Sequence, residues 1–92
     1  MNLDTYQTET ARTDRPAPFN EAVANHAMGL AGETGELVDA LKKLLFHGHK
    51  VEQERVRNEL GDVLWYVARI AADFGLALSE VADANIAKLR AR

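Results

Sequence analysis

From Phe19 to Arg92 the chain contains no proline, and its apolar residues recur every three or four positions. A strand would need alternation of period two, so this stretch suits helices with facing apolar stripes. Both prolines, Pro16 and Pro18, lie in TDRPAPF, which separates a polar N-terminal arm from the helical part. With Asn20 as N-cap, the spacing predicts a helix from about Glu21 to Phe46, carrying Leu30, Leu37, Val38, Leu41, Leu44 and Leu45 and stopping at Gly48. A second runs from about Glu52 to Phe74 with Val56, Leu60, Val63, Leu64, Val67, Ile70, Ala71 and Phe74 on one face, and stops at Gly75. A third starts with Ser79 as N-cap and carries Val81, Ala82, Ile86 and Leu89 to the end. The arm from Asp4 to Thr13 is read as a short helix, against the low helix propensity of its threonines. The expected fold class is all-α: an antiparallel helical hairpin plus a C-terminal helix, with residues 1–19 as the arm and 20–92 as one domain.

Composition narrows the function classes. The 92 residues include no cysteine, which removes disulfide frameworks, Cys-ligated zinc, iron–sulfur clusters and thiol nucleophiles. With 14 acidic against 11 basic residues the chain lacks the positive footprint of a protein that coats polymeric nucleic acid. No apolar run approaches the roughly 20 residues of a membrane span, and MNLDTYQTET lacks the order of a signal peptide, so the expected location is cytoplasmic, with no membrane partner. A chain of this size buries only about 60 to 65% of its extended surface, and the hairpin leaves one face poorly covered. A homodimer or homotetramer that completes a four-helix core is therefore expected.

Sliding the second helix back by 26 positions lays Glu33, Gly35, Glu36, Lys43 and Leu44 over Glu59, Gly61, Asp62, Arg69 and Ile70. Each helix thus carries an acid-x-x-acid pair in the same relation to its apolar seam, and the i,i+3 spacing puts both acids of a pair on one side. Antiparallel packing along these seams would present Glu33, Glu36, Glu59 and Asp62 to one cleft. Asp39, Glu52 and Glu54 have basic residues within a turn and read as solvated surface pairs; of the four cleft acids only Glu59 has one, Arg55. One such pair alone is ordinarily a solvated face. Two in matched register would repel each other unless a cation neutralised them, and carboxylate oxygens suit Mg²⁺ or Mn²⁺. Gly29, Gly32, Gly35 and Gly61 surround these acids at some cost in helix propensity, and are read as points of close backbone approach.

GLAGETGELVDALKK followed by ELGDVLWYVARIAADFGL resembles the MazG-like all-α nucleoside triphosphate pyrophosphohydrolases, which include dimeric dUTPases and dCTP pyrophosphatases. The similarity runs from about His26 to Arg92. The family pattern is Glu-Glu-x-x-Glu on one helix and Glu-x-x-Asp on the next, with the carboxylates holding Mg²⁺; Glu33, Glu36, Glu59 and Asp62 match it, while Gly32 replaces the first acid. The resemblance implies hydrolysis between the α and β phosphates of a nucleoside triphosphate to a monophosphate and pyrophosphate, a reaction fit for nucleotide-pool sanitation. Metal is what lets an acidic site meet an anionic substrate. Glu33, Glu36, Glu59 and Asp62 are the expected metal ligands. Glu33 and Glu36 are also the two candidates for the catalytic base, and at this stage the choice stays open.

The expected substrate-binding residues are Asn85, Lys88, Arg92, Tyr66 and Lys43. Asn85, Lys88 and Arg92 form one stripe on the last helix, where NIAKL resembles the family's Asn-x-x-Lys element; a solvated basic terminus is the plainer alternative. Lys43 and Arg69 occupy equivalent places in the repeat and would offset triphosphate charge, or simply lie at the surface. Tyr66 shares the side of Glu59 and Asp62 and is the candidate to stack on the base, whereas Trp65 projects nearly opposite the core seam and is the candidate interface anchor. His26 lies two turns before Glu33, within possible reach of a nucleotide. His47 and His49 flank Gly48, where an exposed loop outweighs a metal site. The alternative to the enzyme is a non-catalytic helical module that binds nucleotide or metal, or has a regulatory role, and Gly32 is the residue that gives it weight.

Overall fold

A computed structural model describes the backbone of residues 1–47 and 50–91 and the side chains of residues 1–46 and 53–91. Gly48 and His49, the His47 side chain and Arg92 lie outside the described residues, and with them the readings placed on the interhelical loop and on Arg92. Among the described residues four α-helices follow in order: α1 Leu3–Thr10, extended by one 3-10 turn at Ala11–Thr13, α2 Phe19–His47, α3 Lys50–Asp73 and α4 Leu78–Arg90. The all-α class and the helical hairpin are as expected. α2 and α3 run antiparallel, as Arg55 meets Glu36 and Asp39 near one end while Asp73 meets His26 near the other. Among the described residues no helix is long and apolar enough to cross a membrane.

The helix ends follow local chemistry. Asn2 caps α1 by accepting from the Thr5 amide at 2.8 Å. Gly75, at φ +69°, closes α3: its amide donates to Ala72 O and that of Leu76 to Ala71 O, the paired bonds of a Schellman ending. The start of α4 departs from expectation. Ala77, not Ser79, occupies the cap position and has no side-chain acceptor to offer. The acceptors come instead from α1: Gln7 Oε1 takes the Leu78 amide at 2.9 Å, and Asp4 takes the Ser79 amide at 2.9 Å and its hydroxyl at 2.7 Å. Gln7 Nε2 also donates to Ala68 O at 3.3 Å and Leu76 O at 2.9 Å. The arm therefore ties α3, the turn and α4 together.

The core is thin. Ala40, Ala68, Ala71 and Leu78 are its buried apolar residues, and the buried polar ones are Thr10 and His26. Leu30, Leu37, Leu44, Val56, Val63, Val67 and Ile70 are half-buried along the seam. Val38, Leu41, Leu45, Leu60, Leu64 and Phe74, expected on the same stripes, are exposed, because the apolar stripes are wider than the α2–α3 contact.

Candidate active site

Antiparallel packing brings one oxygen each of Glu33 on α2 and Glu59 and Asp62 on α3 within 4.8 Å of one another. Glu59 is the innermost. Its side chain is 15% exposed, and its Oε2 is buried without a hydrogen-bond partner. A buried carboxylate oxygen in that state costs on the order of 1–3 kcal/mol or more unless something positive meets it. Glu33 reports the same crowding. Its carboxyl is pushed above the usual carboxylate range by its hydrogen-bonding contact with Glu59, by burial, and by the charges of Asp62, Glu59 and Glu36. Tyr6 of α1 reaches the Gly61 carbonyl at 3.5 Å, and burial together with Asp62 pushes its phenol up.

Glu36, expected in the same cleft, turns aside. It is 60% exposed and its Oε2 pairs with Arg55 at 3.0 Å, while Arg55 also holds Asp39 at 2.9 Å and approaches Glu59 Oε1 at 3.8 Å. Three of the four acids thus meet, and the fourth is held at their edge by an arginine from the facing helix. Sequence spacing had linked Arg55 only to Glu52 and Glu59 along its own helix; its cross-helix partners depend on the register of the hairpin.

The aromatic wall beside the acids differs from expectation in one respect. Tyr66 does share the acids' side, lining with Thr13, Glu33, Asp62 and Trp65 an opening of about 280 Å³. It lies so close over Gly29 that a Cβ there would overlap its ring, whereas a Cβ at Gly32, Gly35 or Gly61 would meet nothing. Close approach therefore accounts for one of the four glycines. Trp65 does not stand free on the far side. It is half-buried beneath the arm, donates its indole N–H to Thr13 Oγ1 at 2.9 Å, and meets Tyr66 edge-on at 4.9 Å. A second cavity, of about 320 Å³, adjoins the first through Thr13, Trp65 and Tyr66 and is walled by Asp14, Arg15, Glu21 and Asn25 among others.

His26 is a structural centre. Its side chain is 5% exposed and lies between Asp73 at 2.6 Å and Asp14 at 3.0 Å; Arg69 bonds Asp14 at 2.8 Å and Thr10 Oγ1 at 3.3 Å. Neither His26 nor Arg69 lines the acidic opening, though His26 lines the adjoining cavity; both hold the arm on the hairpin. Lys43 pairs with Asp39 at 3.2 Å, beyond Arg55. Asn85 and Lys88 line a groove on α4 with Leu76, Glu80, Val81 and Ala84, and within one chain that groove shares no residue with the acidic opening. Sequence reading missed Asp14, Thr13 and the cross-helix reach of Arg55. Only the arm's path over α3 reveals the first two, and the one available signal was the proline pair that turns the arm back.

The sequence profile of the MazG nucleotide pyrophosphohydrolase domain matches residues 22–92. The chain belongs to the MazG nucleotide pyrophosphohydrolase family. It is also 40% identical to the gene 37 protein of Mycobacterium phage L5, across 100% of this chain and 89% of that one. No solved structure gives a significant match. The MazG match takes in all four acids, Arg55, Trp65 and Tyr66, while the arm that walls their opening lies outside it. A divalent cation fits the residues present: the donors are all carboxylate oxygens, they converge, and one is buried without a partner.

Proposed function

We propose that this MazG-family protein hydrolyses nucleoside triphosphates between the α and β phosphates, giving a nucleoside monophosphate and pyrophosphate. The observation that carries the reading is the partnerless Glu59 Oε2 buried beside Glu33 and Asp62. Glu33, Glu59 and Asp62 would hold Mg²⁺, or Mn²⁺ in its place, with Glu36 able to join from the edge. The cation, when bound, would neutralise phosphate oxygens and stabilise the charge that develops on the departing pyrophosphate.

The chain's own residues supply the rest. We assign the catalytic base to Glu33, because it lies inside the cluster whereas Glu36 faces Arg55; it takes the proton of the water that attacks the α phosphorus. Tyr66 offers a ring face to the base at the mouth of the opening, and the arm-walled cavity beyond it has room for the rest of the nucleoside. Asn85 and Lys88 are assigned to the phosphates in a homodimer or homotetramer, delivered from α4 of a second copy, since within one chain they line a separate groove, and Arg92, which follows α4 in sequence, is assigned with them. Exposed Val38, Leu41, Leu45, Leu60 and Leu64 supply the apolar surface that such an assembly would cover. Lys43 tunes the edge of the site through Asp39.

The test is pyrophosphate release from a panel of ribo- and deoxyribonucleoside triphosphates, with Mg²⁺ and with chelator. Release that depends on metal supports the proposal. Saturable nucleotide binding without turnover would assign the non-catalytic module instead.

A further inference from the structure

We propose that Arg55 is the resident counter-ion of the acidic site, holding Glu36 out of the cluster until a divalent cation takes its place. The inference rests on the metal-binding reading above and adds a step to it. Arg55 reaches across the hairpin to Glu36 Oε2 at 3.0 Å, the Glu36 carbonyl at 3.4 Å and Asp39 at 2.9 Å, and along its own helix to Glu59 Oε1 at 3.8 Å. Its guanidinium therefore touches the innermost acid of the cluster with one edge and the outlying acid with another. It is 26% exposed, so its charge is only partly screened by water, and the planar fork fits two carboxylates at once. Glu36 is the one member of the family motif whose carboxylate lies outside the cluster, and Arg55 is the group that turns it away.

Two cations cannot share this space without cost. Arg55 Nε lies 3.8 Å from Glu59 Oε1, so a double charge held by Glu59 would stand on the order of 6 Å from the guanidinium. Even with water-like screening, that repulsion corresponds to about tenfold in affinity. Metal binding then releases the Arg55–Glu36 pair, and Glu36 becomes free to turn towards the cluster. Arg55 is a positioning residue in this account, acting through Glu36 and Glu59.

The experiment is calorimetric titration of the metal-stripped full chain with Mn²⁺ in the absence of nucleotide. Arg55→Gln should bind Mn²⁺ about tenfold more tightly than wild type at low salt, the gain shrinking as salt is added, while Arg55→Lys stays near wild type. Glu36→Gln should weaken Mn²⁺ binding more in the Arg55→Gln background than alone, because the ligand no longer has to leave a partner. A measurement on the unaltered protein removes any dependence on how the variants fold: the Arg55 Nε–H signal in an NMR spectrum should shift and broaden as saturating Mg²⁺ breaks its pairing with Glu36 and Glu59. Equal or weaker Mn²⁺ binding by Arg55→Gln, additive effects of the two substitutions, or an Arg55 signal indifferent to Mg²⁺ would overturn the counter-ion role and leave the metal site standing. No Mn²⁺ binding by wild type or any variant would overturn both.

Discussion

Replacing His26 by Asn tests how the arm is held over the site. The imidazole lies between Asp73 at 2.6 Å and Asp14 at 3.0 Å, with 5% of its side chain exposed and the two acids at 9% and 16%. Removing one partner of a buried ion pair costs about 3–5 kcal/mol. Here Arg69 still holds Asp14 at 2.8 Å, so we expect the loss at the lower end, about 3 kcal/mol. A domain of 92 residues has a total stability of about 5–14 kcal/mol, so such a loss is easily measured by urea unfolding. The chain's single tryptophan is Trp65, whose indole N–H reaches Thr13 of the arm, so its emission reports arm docking separately from the helical signal.

The effect should depend on pH in a definite direction. Burial works to lower the His26 pKa, but the hydrogen bonds it donates to Asp73 and Asp14, and then their charges, outweigh it and leave the group above its ordinary 6.5. A histidine raised in the folded state stabilises fully below its unfolded pKa, and that contribution is lost as pH rises through the folded value. The difference between wild type and variant should therefore be largest just below pH 6.5 and narrow as the pH climbs. Asp14 bounds the window on the acid side: burial raises its carboxyl, yet the bonds from His26 and Arg69 hold it below 3.8, so its share is lost only as pH falls through that lowered value. A loss under about 1 kcal/mol, unchanged Trp65 emission, or a difference that grows with alkaline pH would refute the reasoning.

Other substitutions probe the same account. Gly29→Ala gains about 1 kcal/mol of helix propensity but pushes Tyr66 aside, and overpacking of that kind costs about 1–3 kcal/mol; we expect no net gain in Tm and weaker nucleotide binding, read by thermal scan and calorimetry. Gln7→Ala removes the bonds to Ala68, Leu76 and Leu78 and should cost about 2 kcal/mol in urea unfolding. Glu33→Gln relieves the crowding that raises its carboxyl. The metal-free protein should melt a few degrees higher, roughly 4–8 °C per kcal/mol relieved, and lose most of the stabilisation given by Mn²⁺ to wild type.

Much of the fold was legible because helical period and terminators are local signals. Gly75 ended α3 as read, and the paired acids revealed a shared face before any packing was known. Ser79 misled because its residue type suits a cap, but the acceptors at that helix start come from Asp4 and Gln7, far away in sequence. Trp65 was placed by angle on its own helix, and angle alone does not register an arm that folds back to cover it. Glu36 shows the same limit from the other side: helical spacing put it beside Glu33 on one face, but the direction of its carboxylate is set by Arg55 across the hairpin. Periodicity could bring Glu33 together with Glu59 and Asp62, but not the path of the arm or the way Glu36 turns.

The central claim is that Glu33, Glu59 and Asp62 form the centre at which a triphosphate is cut. The most direct test follows the phosphorus NMR signals of a single reaction containing protein, Mg²⁺ and a nucleoside triphosphate, beside the same reaction with Asp62→Asn. The account predicts equal amounts of nucleoside monophosphate and pyrophosphate from wild type, and at least a 100-fold slower reaction (about 2.7 kcal/mol or more of lost transition-state stabilisation) from the variant at unchanged helical content. Release of single phosphate with nucleoside diphosphate, or an Asp62→Asn protein as active as wild type, would contradict it.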